Sequence, residues 1–139
     1  MQFADKLAFR LESLFNKISW SSGFEHPGES VIREALNENE KATVNWLKKN
    51  YDKFEDLIYC LPHLPKKYHK KWLFEIMKLG LKNKDLHIND GAVRGLEILG
   101  GRRAIKILKT YVPDKSWLDE CVEIVINNLE SDLSYGNSI

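Results

Sequence analysis

Apolar residues along this chain recur every three or four positions, which is the spacing of one face of an α-helix. This spacing predicts a first helix over about 2–18. Further helices are predicted from residue 27, near 40–50, near 52–61, from residue 65, near 89–99, near 104–111 and from residue 114. No stretch has the alternation expected of a half-buried strand. The pattern therefore predicts an all-α chain with about 7–8 helices.

Breaks between the helices follow the usual chemistry of helix ends. Pro27 fits the first turn of a helix, because its missing N–H would have no partner there. Asn89 or Asp90 can cap the sixth helix, and Gly100-Gly101 can end it in a left-handed backbone. We expect one domain over 1–139, with an N-terminal helix and capping loop over 1–26 and a flexible tail over 131–139.

Charge is unevenly distributed, although the formal net charge is only +1. Residues 1–40 contain four basic and seven acidic side chains, whereas residues 41–84 contain eleven lysines and four acids. Residues 114–139 contain Lys115 and six acids. A basic centre and an acidic end would create electric fields that steer partners without determining the fold.

The segment 88–111 contains a short helix, a double glycine and a second short helix. Its pattern is an acid near a helix start, Val-Arg, Leu-Gly and an Ala-Ile-x-x-Leu helix. The residues that carry it are Asp90, Val93, Arg94, Leu96, Leu99, Gly100, Ala104, Ile105 and Leu108. This pattern resembles the short HEAT-like repeats named after phycobilisome lyases. The next repeat keeps Asp114 and Leu118 but has Asp119 where the arginine would fall, and the first sixty residues match only through helix periodicity.

The resemblance implies a right-handed α–α superhelix of stacked helix pairs, in which each pair covers the apolar side of its neighbour. Members of this family mostly bind proteins through their inner helices, and a minority are lyases or DNA-repair enzymes. Fold alone does not decide among these functions.

Three sets of residues are candidates for contact with a protein partner. The first set, Asp90, Arg94 and Glu97, shares one helix face, although the resemblance implies that the acid and the arginine brace neighbouring helices. The second set is an acidic stripe on the last helix, which nothing basic within that helix balances; it is either a solvated face or the docking surface for a basic protein. Its residues are Asp119, Glu120, Glu123, Asn127 and Glu130.

The third set is Trp20 and Phe24, in the polar loop over 19–26. Loops often carry binding residues, so the two aromatic side chains could form an exposed contact. Packing over the open end of the first helices is the alternative, because a solenoid must cap its ends.

A lysine-rich segment offers a different function, the binding of nucleic acid. Its lysines could bind phosphates while neighbouring aromatic rings stack on bases. Trp72 falls on the apolar helix face, however. The segment also lacks arginine, whose planar guanidinium binds phosphate better than lysine does because it can donate two hydrogen bonds at once. We therefore favour a protein partner over nucleic acid. The candidate lysines are Lys66, Lys67, Lys70, Lys71 and Lys78.

No residue pattern indicates catalysis or metal binding. The four histidines and two cysteines lack the spacing of a metal site, and Cys60 and Cys121 read as small buried hydrophobes. No phosphate loop, dinucleotide fingerprint or nucleophile elbow is present. We expect no enzyme activity, no cofactor and no metal, and a bilin lyase would need a pigment site that the sequence does not suggest. The absence of an apolar run near 20 residues predicts no membrane span, and we expect a cytoplasmic protein.

We predict a protein-binding module, and specifically an immunity protein of a bacterium that neutralises a cognate toxin. A small free-standing domain of this type suits one tight complex, and a basic toxin domain would suit the acidic last helix. The alternative is a nucleic-acid-binding or DNA-repair-type HEAT-like protein that uses the lysine-rich segment.

Overall fold

The computed structural model describes residues 2–21, 23, 25–110 and 116–137, with side chains omitted at 116–119 and 134–137. The described residues contain α-helices and short 3₁₀ turns but no strand, which confirms the all-α prediction. Eight α-helices are described: α1 (Phe3–Lys17), α2 (Pro27–Glu38), α3 (Glu40–Asn50), α4 (Leu57–Cys60), α5 (Lys71–Lys82), α6 (Leu86–Leu99), α7 (Gly101–Thr110) and α8 (Ser116–Asn137).

The first three helices lie close to their predicted bounds, and local chemistry explains their ends. Pro27 begins α2 as expected, and the His26 ring accepts a hydrogen bond from the Gly28 backbone N–H at 2.9 Å. Asn39 caps α3 in the same way, because its side chain accepts from the Ala42 N–H at 3.1 Å. Both caps satisfy amides that would otherwise have no partner in the first turn.

The fourth and fifth helices were predicted too long. Residues 51–56 form turns, so α4 spans only Leu57–Cys60 and tightens into a 3₁₀ turn at Leu61–His63. Pro65 precedes a second 3₁₀ turn, Lys66–Tyr68, instead of beginning α5. Side-chain contacts hold this irregular segment, since the His69 Nε2 lies 2.8 Å from the Leu64 carbonyl oxygen.

The predicted cap of α6 is also wrong. The helix begins at Leu86, and the Asp85 carboxylate caps it by accepting from the His87 N–H at 2.8 Å. Asn89 is buried instead, and its amide donates to the carbonyl oxygens of Gly80 at 2.8 Å and Asn83 at 2.9 Å. It therefore satisfies orphan carbonyls at the end of α5 and ties α6 to α5.

The double glycine separates α6 from α7 as predicted. Gly100 and Gly101 have φ angles of +65° and +79°, which side chains other than glycine rarely adopt. The chain can therefore reverse within two residues. The last helix, α8, includes residues 131–137 of the stretch that we expected to be a flexible tail.

The helices pack in two layers, which follow from their order in the chain. Each helix packs against the helix two places along, so α1, α3, α5 and α7 form one row and α2, α4, α6 and α8 form another. We call these rows the odd layer and the even layer. Contacts between α1 and α2, α5 and α6, and α7 and α8 join the layers. This packing agrees with the predicted helical-repeat superhelix.

The core lies between the two layers and runs the length of the described chain. Its fully buried side chains come from seven helices and from the 3₁₀ turn after α4. They include Leu11, Ile32, Leu47, Leu57, Ile58, Leu61, Leu73, Ile76, Met77, Ile88, Leu96 and Leu108. Because each helix buries its apolar face on its neighbours, its polar face is left on the outside of its layer.

Candidate functional site

The two layers carry opposite charge. Counted from lysine, arginine, aspartate and glutamate within the helix bounds, α1, α3, α5 and α7 have net charges of +1, +2, +2 and +4. The helices α2, α4, α6 and α8 have net charges of −2, 0, −1 and −5. The odd layer therefore totals +9 and the even layer −8, a separation that the net charge of +1 conceals.

An aromatic cluster lies where the loop after α1 meets α4. The Trp20 ring stacks on the Tyr59 ring with 4.8 Å between centroids, and the His63 ring lies 6.1 Å from Trp20. Tyr59 is buried, Trp20 is half-buried and His63 is exposed. Trp20 thus packs against the even layer, and its Nε1 finds no acceptor among the described residues.

Asp56 fixes the loop and α6 to the turn before α4. Its carboxylate accepts from the Trp20 backbone N–H at 3.0 Å and lies 3.2 Å from the His87 Nε2. The His87 ring also meets Tyr59 edge-on, with 5.1 Å between centroids. One carboxylate therefore holds the Trp20 backbone and the His87 ring in place on this surface.

Asp90 braces α6 against α4. It accepts from the Tyr59 hydroxyl at 2.6 Å and from the Arg94 Nε at 2.9 Å. Burial, and then the hydrogen bond and charge of Asp90, raise the pKa of Tyr59, so the phenol keeps its proton. The Arg94 side chain remains largely exposed beside the aromatic cluster, and Glu97 is exposed one turn later on α6.

On α8, the acidic stripe has an apolar centre. Glu120, Glu123 and Asn127 are exposed, and Ile124 between them has 60% of its surface exposed. Glu130 is also exposed but forms an ion pair with Lys109 of α7 at 3.1 Å. A basic residue outside the helix therefore balances the charge of this carboxylate. The side chain of Asp119 and the whole of Phe24 lie outside the described residues.

The fold therefore brings together candidates that the sequence left in three separate sets. Trp20 packs on α4, while Asp90, Arg94 and Glu97 lie on α6, and the acidic stripe lies on α8. Because α4, α6 and α8 are consecutive helices of the even layer, these residues lie on neighbouring elements of one layer, although Glu130 turns towards Lys109 of the odd layer. We call the exposed side of these elements the even face.

Four residues of the even face were missed by sequence reasoning. They were missed because the contacts that unite them, Trp20 on Tyr59, Tyr59 with Asp90 and Asp56 with His87, join distant parts of the chain. The one available signal was the i, i+3, i+7 spacing of Asp56, Tyr59 and His63. The missed residues are Asp56, Tyr59, His63 and His87.

The candidate lysines lie instead at the odd layer or in the turn that leads to it. Lys70 pairs with Glu40 at 3.0 Å, Lys71 lies 3.9 Å from Glu75, and Lys67 lies over the Tyr68 ring. The neighbouring rings of Tyr68 and Trp72 are buried, so they cannot stack on bases. Lys66 and Lys78 are exposed.

Several titratable groups are held in hydrogen bonds or have a pKa that is shifted by burial. The described residues contain no group of three or more His, Cys, Asp or Glu side chains that could hold a metal ion. Burial raises the pKa of the Cys60 thiol and disfavours the reactive thiolate, while partial burial lowers the pKa of His63. The carboxylates of Asp56 and Asp90 are occupied by the contacts described above.

Comparisons with protein-family models, with curated proteins and with solved structures find no match to this chain. Among the described residues, no helix combines the length and the apolar character that crossing a membrane requires.

Proposed function

We propose that this chain is a protein-binding domain that engages a basic partner through its even face. The observation that carries the proposal is the separation of charge between the layers, which leaves the even layer at −8. A face of one sign steers an oppositely charged partner and raises the rate of association. The acidic α8 would guide the approach of the partner.

The α4–α6 part of the even face supplies contacts of the kind that dominate binding energy. Tryptophan, tyrosine and arginine are enriched in binding hot spots, and Trp20 and Arg94 present such side chains here. Hydrogen bonds to Asp56 and Asp90 hold the cluster in place before any partner arrives. Preorganised side chains lose less entropy on binding, which favours a tight complex.

The specific role that we propose is that of an immunity protein in the cytoplasm of a bacterium. Such a protein neutralises a cognate toxin by a tight one-to-one contact, and a basic toxin domain would complement the even face. Two features support this role, the charge of α8 and the preorganised aromatic cluster.

The proposal is tested by comparing what two variants capture from extracts of the cells that naturally produce the chain. Glu120→Gln with Glu123→Gln removes two charges from the even face, and Asp5→Asn with Glu12→Gln removes two exposed charges from α1 of the odd layer. We expect a basic protein that is retained by the wild type and by the Asp5/Glu12 variant. The Glu120/Glu123 variant should associate with it at least about tenfold more slowly at low salt.

Equal binding by both variants would contradict a role for the acidic helix. A Trp20→Ala variant separates the two parts of the even face, because it should accelerate dissociation and leave the salt dependence of association unchanged. Capture of an acidic protein by all variants alike would contradict the proposed partner.

A further inference from the structure

The odd layer carries a second charged surface, at the junction of α5 and α7. The Arg103 guanidinium lies over the Phe74 ring at 5.0 Å, which places α7 beside the exposed lysines of α5. Lys71 and Lys78 lie one turn before and one turn after Phe74, so they flank this contact. We call Lys71, Lys78, Arg102, Arg103 and Lys106 the basic patch.

The basic patch has few carboxylates to balance it. Glu75 is the acid of α5, and Lys48 donates to it at 2.7 Å while Lys71 lies 3.9 Å away. The helix α7 contains no acid at all. Lys78, Arg102, Arg103 and Lys106 form no ion pair with any carboxylate whose side chain the structure describes. Apart from the contact of Arg103 with the Phe74 ring and the attraction between Lys78 and Glu75, these charges are available to an anionic partner.

The patch also supplies the arginines that the lysine-rich segment lacks in sequence. Arg102 and Arg103 are distant from that segment in the chain but lie next to it in the fold. Arg102 and Lys106 also line a groove of about 410 Å³ towards α8, where Lys109 pairs with Glu130. Cations without an ion pair therefore extend from α5 to Arg102 and Lys106 of α7.

We infer that the basic patch binds the phosphate backbone of double-stranded nucleic acid, independently of base sequence and of the proposed protein partner. Cations spread along two neighbouring helices suit the regular rows of phosphates on a duplex. A single strand would instead need exposed aromatic rings for its bases, but Tyr68, Trp72 and Phe74 are all buried. An acidic protein or an anionic membrane would also be attracted by charge and is therefore a competing outcome.

Fluorescence anisotropy with a labelled mixed-sequence DNA duplex tests the inference in the full chain. We expect binding at low salt, with a slope of log K against log salt of about −4 if most of the patch contacts phosphate. The variant Arg102→Gln with Lys106→Gln should reduce the size of the slope by about 2 and weaken binding at least about tenfold. It leaves Arg103 on Phe74, so the fold is retained.

Matched control variants distinguish duplex binding at the basic patch from a general effect of the protein's charge. Lys17→Gln with Lys53→Gln removes two other exposed cations and should leave duplex binding within about twofold of the wild type. Glu120→Gln with Glu123→Gln should also leave duplex binding intact. The two proposals can therefore fail separately, because duplex binding tests the basic patch and capture of a basic protein tests the even face.

Four outcomes would overturn the inference. They are no duplex binding at low salt, equal loss in the Lys17/Lys53 control, tighter binding of a single strand of the same length, and binding of phosphatidylserine vesicles without binding of the duplex. A polyglutamate peptide that is bound more tightly than the duplex would point to an acidic protein instead and would count against it equally.

Discussion

At the scale of single residues, polar side chains in this chain mostly serve to fix one segment to another. Asn89 was predicted as a helix cap but is buried against the end of α5, where its amide satisfies carbonyl oxygens. Asp56 and Asp90 each join two elements through one carboxylate. Such roles depend on tertiary contacts, so residue type and spacing cannot reveal them.

Glu29 makes the stability of the fold depend on pH. It is buried in α2, and burial, followed by the nearby Glu25, raises the pKa of its carboxyl from 4.5 to about 7. The folded state therefore holds a proton that the unfolded chain releases near pH 4.5. The stability contributed by Glu29 is fully present below about pH 4.5 and is lost as the pH rises through about 7.

We expect the free energy of unfolding to fall by about 1–3 kcal/mol over this interval, and Glu29→Gln to remove that fall. Urea unfolding from pH 4 to pH 8, at about one-unit steps, measures it. Glu38→Gln, at an exposed position of the same helix, should keep the pH dependence of the wild type. An unchanged slope in Glu29→Gln would show that the carboxyl ionises freely in the folded state.

Tyr59 and Asp90 should be energetically coupled. Tyr59→Phe removes the hydroxyl that donates to Asp90, and we expect a loss of about 1–2 kcal/mol because the acceptor is charged. A double-mutant cycle with Asp90→Asn isolates the interaction, and urea unfolding supplies the four free energies. Strictly additive losses would show that this hydrogen bond does not brace α4 against α6.

At the scale of elements, hydrophobic periodicity predicted the helices well where tertiary contacts do not alter the local backbone. The first three helices keep their predicted bounds because local caps and apolar spacing agree. The segment 51–70 departs from prediction because it is shaped by contacts made elsewhere, such as the His69 ring on the Leu64 carbonyl oxygen. Propensity and spacing describe one helix at a time and contain no term for such contacts.

Close packing of α6 on α4 depends on Gly91. A Cβ atom there would lie 2.4 Å from the Ile58 Cγ2, and Ile58 is fully buried. We expect Gly91→Ala to destabilise the fold by about 1–3 kcal/mol, although alanine favours helix by about 1 kcal/mol. Thermal unfolding measures the loss.

Gly95→Ala on the same helix is the matched control for this packing. Its Cβ would meet the Met77 sulfur at 2.6 Å, and a flexible thioether side chain can move aside at lower cost. Gly91→Ala should therefore melt below Gly95→Ala. The reverse order would mean that Ile58, and not Met77, is the side chain that yields.

At the scale of the whole molecule, the separation of charge was beyond the reach of sequence reading. Read along the chain, the charges give a basic centre and an acidic end. The fold distributes alternate helices to two layers, which adds α2 and α6 to the acidic side and α1, α3 and α7 to the basic side. Some residues of the even face were therefore predicted from the sequence. That they lie in one layer could not be predicted, because it follows from the packing of α4, α6 and α8.

The proposed docking of a basic protein on the even face is tested most directly by carboxyl footprinting of the complex with the captured partner. Carbodiimide labelling followed by mass spectrometry measures the reactivity of each exposed carboxylate with and without that partner. We expect protection of Glu97, Glu120 and Glu123, while Asp5 and Glu12 react equally in both states. Protection of Asp5 or Glu12 with undiminished labelling of the α6 and α8 carboxylates would contradict binding at the even layer.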